Sequence, residues 1–136
     1  MILADTSAFL EYDRGTGSAV DRRMVDLIKD EGPLAVTEPV VMEVTAGART
    51  DEREAALRRL LLRFGLLGFD SGVDFDGAMR IYRACRQAGV TPRGLIDCMI
   101  ATVALRNGAT LLAADADLLR VARVMGIDLD HASPAP

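Results

Sequence analysis

Histidine is almost missing from this chain of 136 residues: His131, close to the Pro-containing end, is the only one. A lone histidine beside a Pro-containing tail argues against Ser-His-Asp, Cys-His and His-ligated zinc chemistry within the chain. Cysteine is equally scarce. Cys85 and Cys98 are too few and too far apart for a disulfide framework or a zinc knuckle, and read as small buried hydrophobes. Tryptophan is absent and only six residues are Phe or Tyr, which argues against a base-stacking RNA-binding sheet. Long apolar runs are missing too. The longest candidate, "LIDCMIATVAL", falls short of a membrane span and carries Asp97. The start shows no basic segment followed by an apolar one, so the expected location is the cytoplasm. Lysine is represented by Lys29 alone among 16 basic residues. That bias fits a GC-rich genome, and arginine also suits bidentate phosphate contacts. A net charge of −4 argues against a nonspecific DNA-coating protein, but leaves open a local nucleic-acid site. Whatever chemistry the chain performs must run on carboxylates.

What is present is an alternation of short apolar runs and amphipathic stretches. Half of the residues are hydrophobic and 26% are charged, as in a globular domain. The reading is one domain over 1–130, followed by a tail, 131–136, expected to be disordered. "MILAD" is a short strand. Val20, Met24, Leu27 and Ile28 mark one face of a helix that closes at Gly32. "PLAV" is a second strand, after which Thr37 stands as an N-cap with Glu38 and Pro39 in the first turn. "TDEREAALRRLLLRFG" is a helix with (i, i+4) charge pairs such as Glu54–Arg58. "LLGFD" reads as a third strand. Phe75, Met79, Tyr82 and Cys85 or Arg86 trace a further helix that ends near Gly89. "RGLIDCMIATVALRNG" is a helix apolar nearly all round, "ATLLAAD" a fourth strand, "ADLLRVARVMG" a helix, and "IDLD" a possible edge strand. Strands separated by helices, with no hairpin signals, imply parallel pairing and an α/β sandwich.

Four acidic residues fit poorly into that apolar frame. Asp5 and Asp115 each end a strand, where open parallel sheets bind ligands. Glu43 sits among Val40, Val41, Met42 and Val44. Asp97 is flanked by Leu95, Ile96, Cys98, Met99, Ile100 and Ala101, and an unpaired buried carboxylate would cost several kcal/mol or be forced neutral. Each also has a plain structural explanation. Asp5 and Asp115 could be helix N-caps. Glu43 could pair with an arginine. Asp97 could bond Thr102 or cap its own helix, and Asp117 reads as a first-turn residue favoured by the helix dipole. Four such residues together are harder to explain one by one, and if they converge, mutual repulsion dominates the site. Clustered carboxylates raise each other's pKa or require a cation between them, and hard oxygen ligands are what Mg²⁺ or Mn²⁺ binds. A divalent ion held this way activates water and neutralises a phosphodiester, which is metal-dependent nuclease chemistry without histidine.

The pieces "ILADTSAFLEY", "EPVVMEVTAGA" and "RGLIDCMIATVALRNGATLLAADADLL", in this order, resemble PIN-domain ribonucleases, and more narrowly the VapC toxins of type II toxin–antitoxin systems. The resemblance spans 1–130. It implies a PIN-like α/β/α sandwich with a central, mostly parallel sheet of four or five strands. It also implies an acidic site of Asp5, Glu43, Asp97 and Asp115, with Asp5, Asp97 and Asp115 as metal ligands and Thr6 helping to order them. The implied cofactor is Mg²⁺, with Mn²⁺ as a substitute. The implied substrate is RNA, often transfer RNA, with 5′-phosphate products. A homodimer and a VapB-like antitoxin are the implied partners. The last family motif often reads Thr-x-Asp-x-Asp-Phe. Here Ala113 replaces the Thr and Leu118 the Phe, so that either Asp115 or Asp117 can face the metal; Asp115, nearer the strand end, is the expected ligand. Arg14 and Arg93 are candidate RNA-phosphate contacts, with solvated surface arginines as the alternative. "AALRRLLLRFGLL" is a candidate interface. Two rival readings stand beside this one. A receiver-like phosphoacceptor domain would need a lysine beside the acidic cluster, which Lys29 does not supply. A catalytically inactive PIN-like module would only bind a partner.

Overall fold

In the computed structural model, which describes residues 1–135, the first apolar run forms strand β1 (Ile2–Ala4), buried throughout. Strands β2 (Leu34–Val36), β3 (Gly65–Leu66) and β4 (Thr110–Leu112) join it in a sheet of order β3-β2-β1-β4, with every pairing parallel. Leu3 lies opposite both Ala35 and Leu111, so the two central strands are apolar on both faces. That is the pattern of parallel strands covered on two sides.

The helices are α1 (Thr6–Arg14), α2 (Ala19–Lys29), α3 (Glu38–Ala46), α4 (Asp51–Leu61), α5 (Asp74–Gln87), α6 (Leu95–Asn107) and α7 (Ala116–Met125). With every crossover of the usual right hand, α1 to α4 cover one face of the sheet and α5 to α7 the other. The helix contacts follow this division: α1 packs on α2 and α3, while α5, α6 and α7 pack on one another. The result is an α/β/α sandwich. At the rim, α3 also meets α6. Gly108, at φ +61°, ends α6 in the left-handed region and turns the chain directly into β4.

Several elements differ from the sequence reading. Helix α1 was not assigned from its sequence; Asp5 caps it through a bond from Ser7 N, and only Ala8 and Phe9 are fully buried. The third strand is Gly65–Leu66 rather than 66–70. Beyond it the backbone turns to side chains: Phe69 N donates to Glu38 Oε1 and Asp70 N to Asp74 Oδ2, while Gly68 O accepts from Arg106. Helix α5 forms, but Phe75 is 58% exposed, and Ala78, Ile81 and Cys85 line the buried face. Its small residues allow close approach to α6, since a Cβ on Gly77 would collide with Thr102 Oγ1. The expected edge strand over 127–130 is a single bridge, Leu111 to Leu129. Of "AALRRLLLRFGLL", Leu57 and Leu61 enter the core, whereas Leu62 and Leu66 are exposed. Both cysteines are free and buried. In the tail, Ser133 Oγ accepts from Ala113 N at 3.1 Å, which ties that residue to the sheet; position 136 lies outside the described residues. No helix among the described residues is long and apolar enough to cross a membrane.

Candidate metal and active site

The chain builds outward from β1 through β2 to β3, then returns to place β4 on the other side of β1. The connections leave β1 and β4 in opposite directions, which opens a crevice at their carboxyl ends. Asp5 and Asp115 stand there, each between a strand and the helix it caps. Each divides its two oxygens between two tasks. Asp5 Oδ2 accepts from Ser7 N at 3.1 Å and Ser7 Oγ at 2.7 Å, while Oδ1 is buried with no donor among the described residues. Asp115 Oδ2 accepts from Leu118 N at 3.3 Å, while Oδ1 accepts from Arg93 Nη2 at 2.8 Å. Helix capping and a place in the site are therefore compatible, because they use different oxygens.

Glu43 comes from α3 and is half-buried. Its partner is no arginine: Thr6 Oγ1 donates to Glu43 Oε1 at 2.8 Å. Asp97, in the first turn of α6, is also half-buried and receives no hydrogen bond from any described residue. It neither bonds Thr102 nor caps its helix, where Gly94 holds the N-cap position. It opens instead onto a cleft of about 560 Å³ whose lining includes Asp5, Thr6, Glu43, Asp97, Asp115 and Arg93. Asp117 is not part of that lining. Its Oδ1 pairs with Arg120 Nη1 at 2.9 Å and its Oδ2 with Arg93 Nε. Arg93, read from sequence as a phosphate contact, thus spans two carboxylates, and Arg14 is exposed on an adjoining cleft.

One residue of this arrangement has no counterpart in the sequence reading. Ser7 Oγ donates to Asp5 Oδ2 and accepts from Ala114 N at 2.9 Å and Asp115 N at 3.2 Å. A single hydroxyl therefore joins the end of β1 to the turn after β4. The Asp-x-Ser spacing carries a local capping signal, but nothing in it announces partners more than a hundred residues away.

The electrostatics follow from burial first. Asp5 is 3% exposed, and burial pushes its carboxyl up to about 6 against the opposing hydrogen bonds of Ser7 and the backbone; the charge of Glu43 adds to the rise. Asp97 is pushed up to about 7, first by burial and then by the charges of Asp5, Asp115, Glu43 and Asp117. As the side chains stand, no three acidic groups among the described residues are close enough together to share one ion. The donor set nonetheless suits a hard cation. It offers oxygen ligands only, a shared negative field and, in Asp5 Oδ1, a buried acceptor without a donor.

A second cleft, also of about 560 Å³, continues from the first through Thr6, Leu10 and Glu43. It runs between α1, α3 and α4 over Phe9, Val44 and Leu57, with Arg14 and Arg49 among its lining.

Residues 2–124 match the model of the PIN domain family. The chain is 41% identical to the VapC ribonuclease Mb1587 of Mycobacterium bovis over 128 residues, which cover 93% of this chain and 96% of the relative. Ribonuclease VapC11 of Mycobacterium tuberculosis matches with the same identity and coverage. Among solved structures, VapBC2 from Rickettsia felis bound to a promoter DNA fragment superposes with a TM-score of 0.73 at 18% identity, covering 96% of this chain and 98% of that one. At this identity the likeness concerns the fold.

Proposed function

We propose, for a chain that belongs to the PIN-domain family and within it to the VapC-type toxins, that the acidic cleft hydrolyses RNA phosphodiester bonds with a divalent cation, Mg²⁺ or in its place Mn²⁺. The observation that carries this reading is the buried, unpartnered Asp5 Oδ1 beside Asp97, a carboxyl held protonated up to about 7 by burial and by its acidic neighbours. Such a pair is costly unless positive charge enters the cleft. Asp5, Asp97 and Asp115 would hold the ion, which supplies charge neutralisation at the phosphodiester and a more acidic water.

The chain's own residues do the remaining work. Ser7 fixes the separation of the Asp5 and Asp115 turns. Thr6 occupies Glu43 Oε1, which leaves Oε2 to take the proton of an attacking water. With such an ion in the cleft, Asp97 would be held ionised, since positive charge beside a carboxyl lowers its pKa. The apolar cleft next to the acidic one, with Arg14 and Arg49 in its lining, offers a track for the RNA strand to either side of the cut. Transfer RNA or another structured RNA is the proposed substrate. The named relatives act as ribonucleases, and the structural likeness to toxin–antitoxin complexes supports neutralisation by a VapB-like antitoxin. Exposed Leu62, Leu66, Val73 and Phe75 favour a homodimer, in which a second copy would cover part of this apolar surface. A phosphoacceptor role has no support here, since no lysine lines the cleft.

The test is cleavage of a transfer RNA pool by the purified chain, freed of any partner. Cutting should require Mg²⁺ or Mn²⁺, stop with EDTA, and fall at least a hundredfold in Asp5→Asn and Asp97→Asn. If the folded wild-type protein does not cut with either metal, the reading as a module that only binds a partner takes its place. If the variants cut as well as wild type, the activity comes from another protein.

A further inference from the structure

We infer that Arg93 is an internal counter-ion that must leave Asp115 before a divalent cation can bind there. The inference rests on the metal-site reading above and adds a competitor that belongs to the chain itself. Asp115 has one oxygen to offer, because Oδ2 is committed to the N-terminus of α7 through Leu118 N. Arg93 Nη2 holds the other, Oδ1, at 2.8 Å, and Arg93 Nε pairs with Asp117 Oδ2. As the side chains stand, with Asp115 paired to Arg93, no three acidic groups among the described residues are placed to share an ion. The arrangement that neutralises the cleft is thus also one that keeps its third carboxylate from a cation.

The pairing is built to open. The Arg93 side chain is 74% exposed, so little packing holds it. An exposed ion pair is weak and screened by salt, whereas a divalent ion among several carboxylates is not a weak ligand. Pro92, next to Arg93 in the chain, is buried, whereas the Arg93 side chain is exposed and free to turn into solvent. Asp117 keeps Arg120 as a partner when Arg93 departs. A binding-competent state populated only in part weakens the apparent affinity by that fraction. If Asp115 is free about a tenth of the time, removing the competitor tightens metal binding about tenfold.

The experiment measures Mn²⁺ binding by the electron paramagnetic resonance of free Mn²⁺, in wild type, Arg93→Gln, Arg93→Lys and Asp97→Asn at low salt. Asp97→Asn, which removes a proposed ligand, should lose the site and so identifies the signal with this cleft. Arg93→Gln should bind about tenfold more tightly than wild type, with Arg93→Lys in between, and the advantage of Arg93→Gln should shrink as salt screens the wild-type pair. Equal or weaker binding by a folded Arg93→Gln, beside a wild type that binds, would overturn the inference and leave the metal site standing. No binding by wild type or Arg93→Gln, or full binding by Asp97→Asn, would instead remove the metal site, and the inference with it.

Discussion

Replacing Asp97 by Asn should stabilise the metal-free protein at pH 8. Asp97 has no donor among the described residues, and its carboxyl is pushed up to about 7 from the ordinary carboxylate range by burial and its acidic neighbours. A carboxyl that is harder to ionise in the folded than in the unfolded chain makes the folded state bind more protons, so stability falls as pH rises from about 4 to about 7. Each pH unit across that interval is worth about 1.4 kcal/mol, which gives an upper figure of about 4 kcal/mol. Solvent contact at the cleft screens this, and about 2 kcal/mol is the reasonable expectation. Asn keeps the shape and lacks the charge. For a domain of this size, about 2 kcal/mol corresponds to a rise of about 8 °C in thermal midpoint. At pH 5 the folded wild type carries more of Asp97 protonated, so the advantage of Asn should be clearly smaller than at pH 8. The assay is thermal unfolding followed by circular dichroism in EDTA at the two pH values. A lower midpoint for Asp97→Asn at pH 8 would refute the reasoning, since it would mean that the carboxylate has a structural partner. An equal gain at both pH values would show that charge is not the cause.

Three further outcomes follow from particular contacts. Ser7→Ala leaves Ala114 N and Asp115 N without their acceptor, and should cost about 1–3 kcal/mol in urea unfolding along with most RNA cleavage. Gly77→Ala drives a methyl into Thr102 Oγ1 between α5 and α6; a loss of about 1–3 kcal/mol is expected, and recovery in the double variant with Thr102→Ala, which removes that oxygen, would locate the collision. Arg106→Met strands Asp74, which is 1% exposed and bonded through both oxygens to Arg106 at 2.9 and 2.6 Å. Breaking that pair should cost about 3–5 kcal/mol by chemical denaturation at pH 7. Arg106 holds the Asp74 carboxyl below its ordinary value, so its contribution is present at neutral pH and is lost as pH falls below about 4.

The sequence announced elements whose pattern repeats over a long enough stretch. The continuous apolar strands, the apolar α6 and the amphipathic α2 were legible because burial on one or both faces imposes a period that few other structures share. The parallel pairing, though not the strand order, followed from the alternation of strands and helices. Helix α1 was not legible: nine residues with only Ala8 and Phe9 fully buried give too little period to read. On α5, Phe75 and Met79 are large and apolar, but close contact with α6 at Gly77 buries the small residues and turns the large ones outward. For the site, strand-end aspartates and an acidic residue inside an apolar helix stand out because each violates the pattern around it. What ties them together does not stand out. Ser7 reaches the turn after β4, and Arg93 reaches Asp115, across stretches of chain that no local rule connects.

The central claim is that Asp5, Asp97 and Asp115 share one divalent ion at the end of β1. A crystal grown or soaked with Mn²⁺, with its anomalous scattering recorded, tests this most directly. A single strong peak about 2.0–2.2 Å from Asp5 Oδ1 and from an oxygen of Asp97, with Arg93 withdrawn from Asp115, is the predicted result. A cleft without a peak at saturating Mn²⁺, with Arg93 still on Asp115, would contradict it.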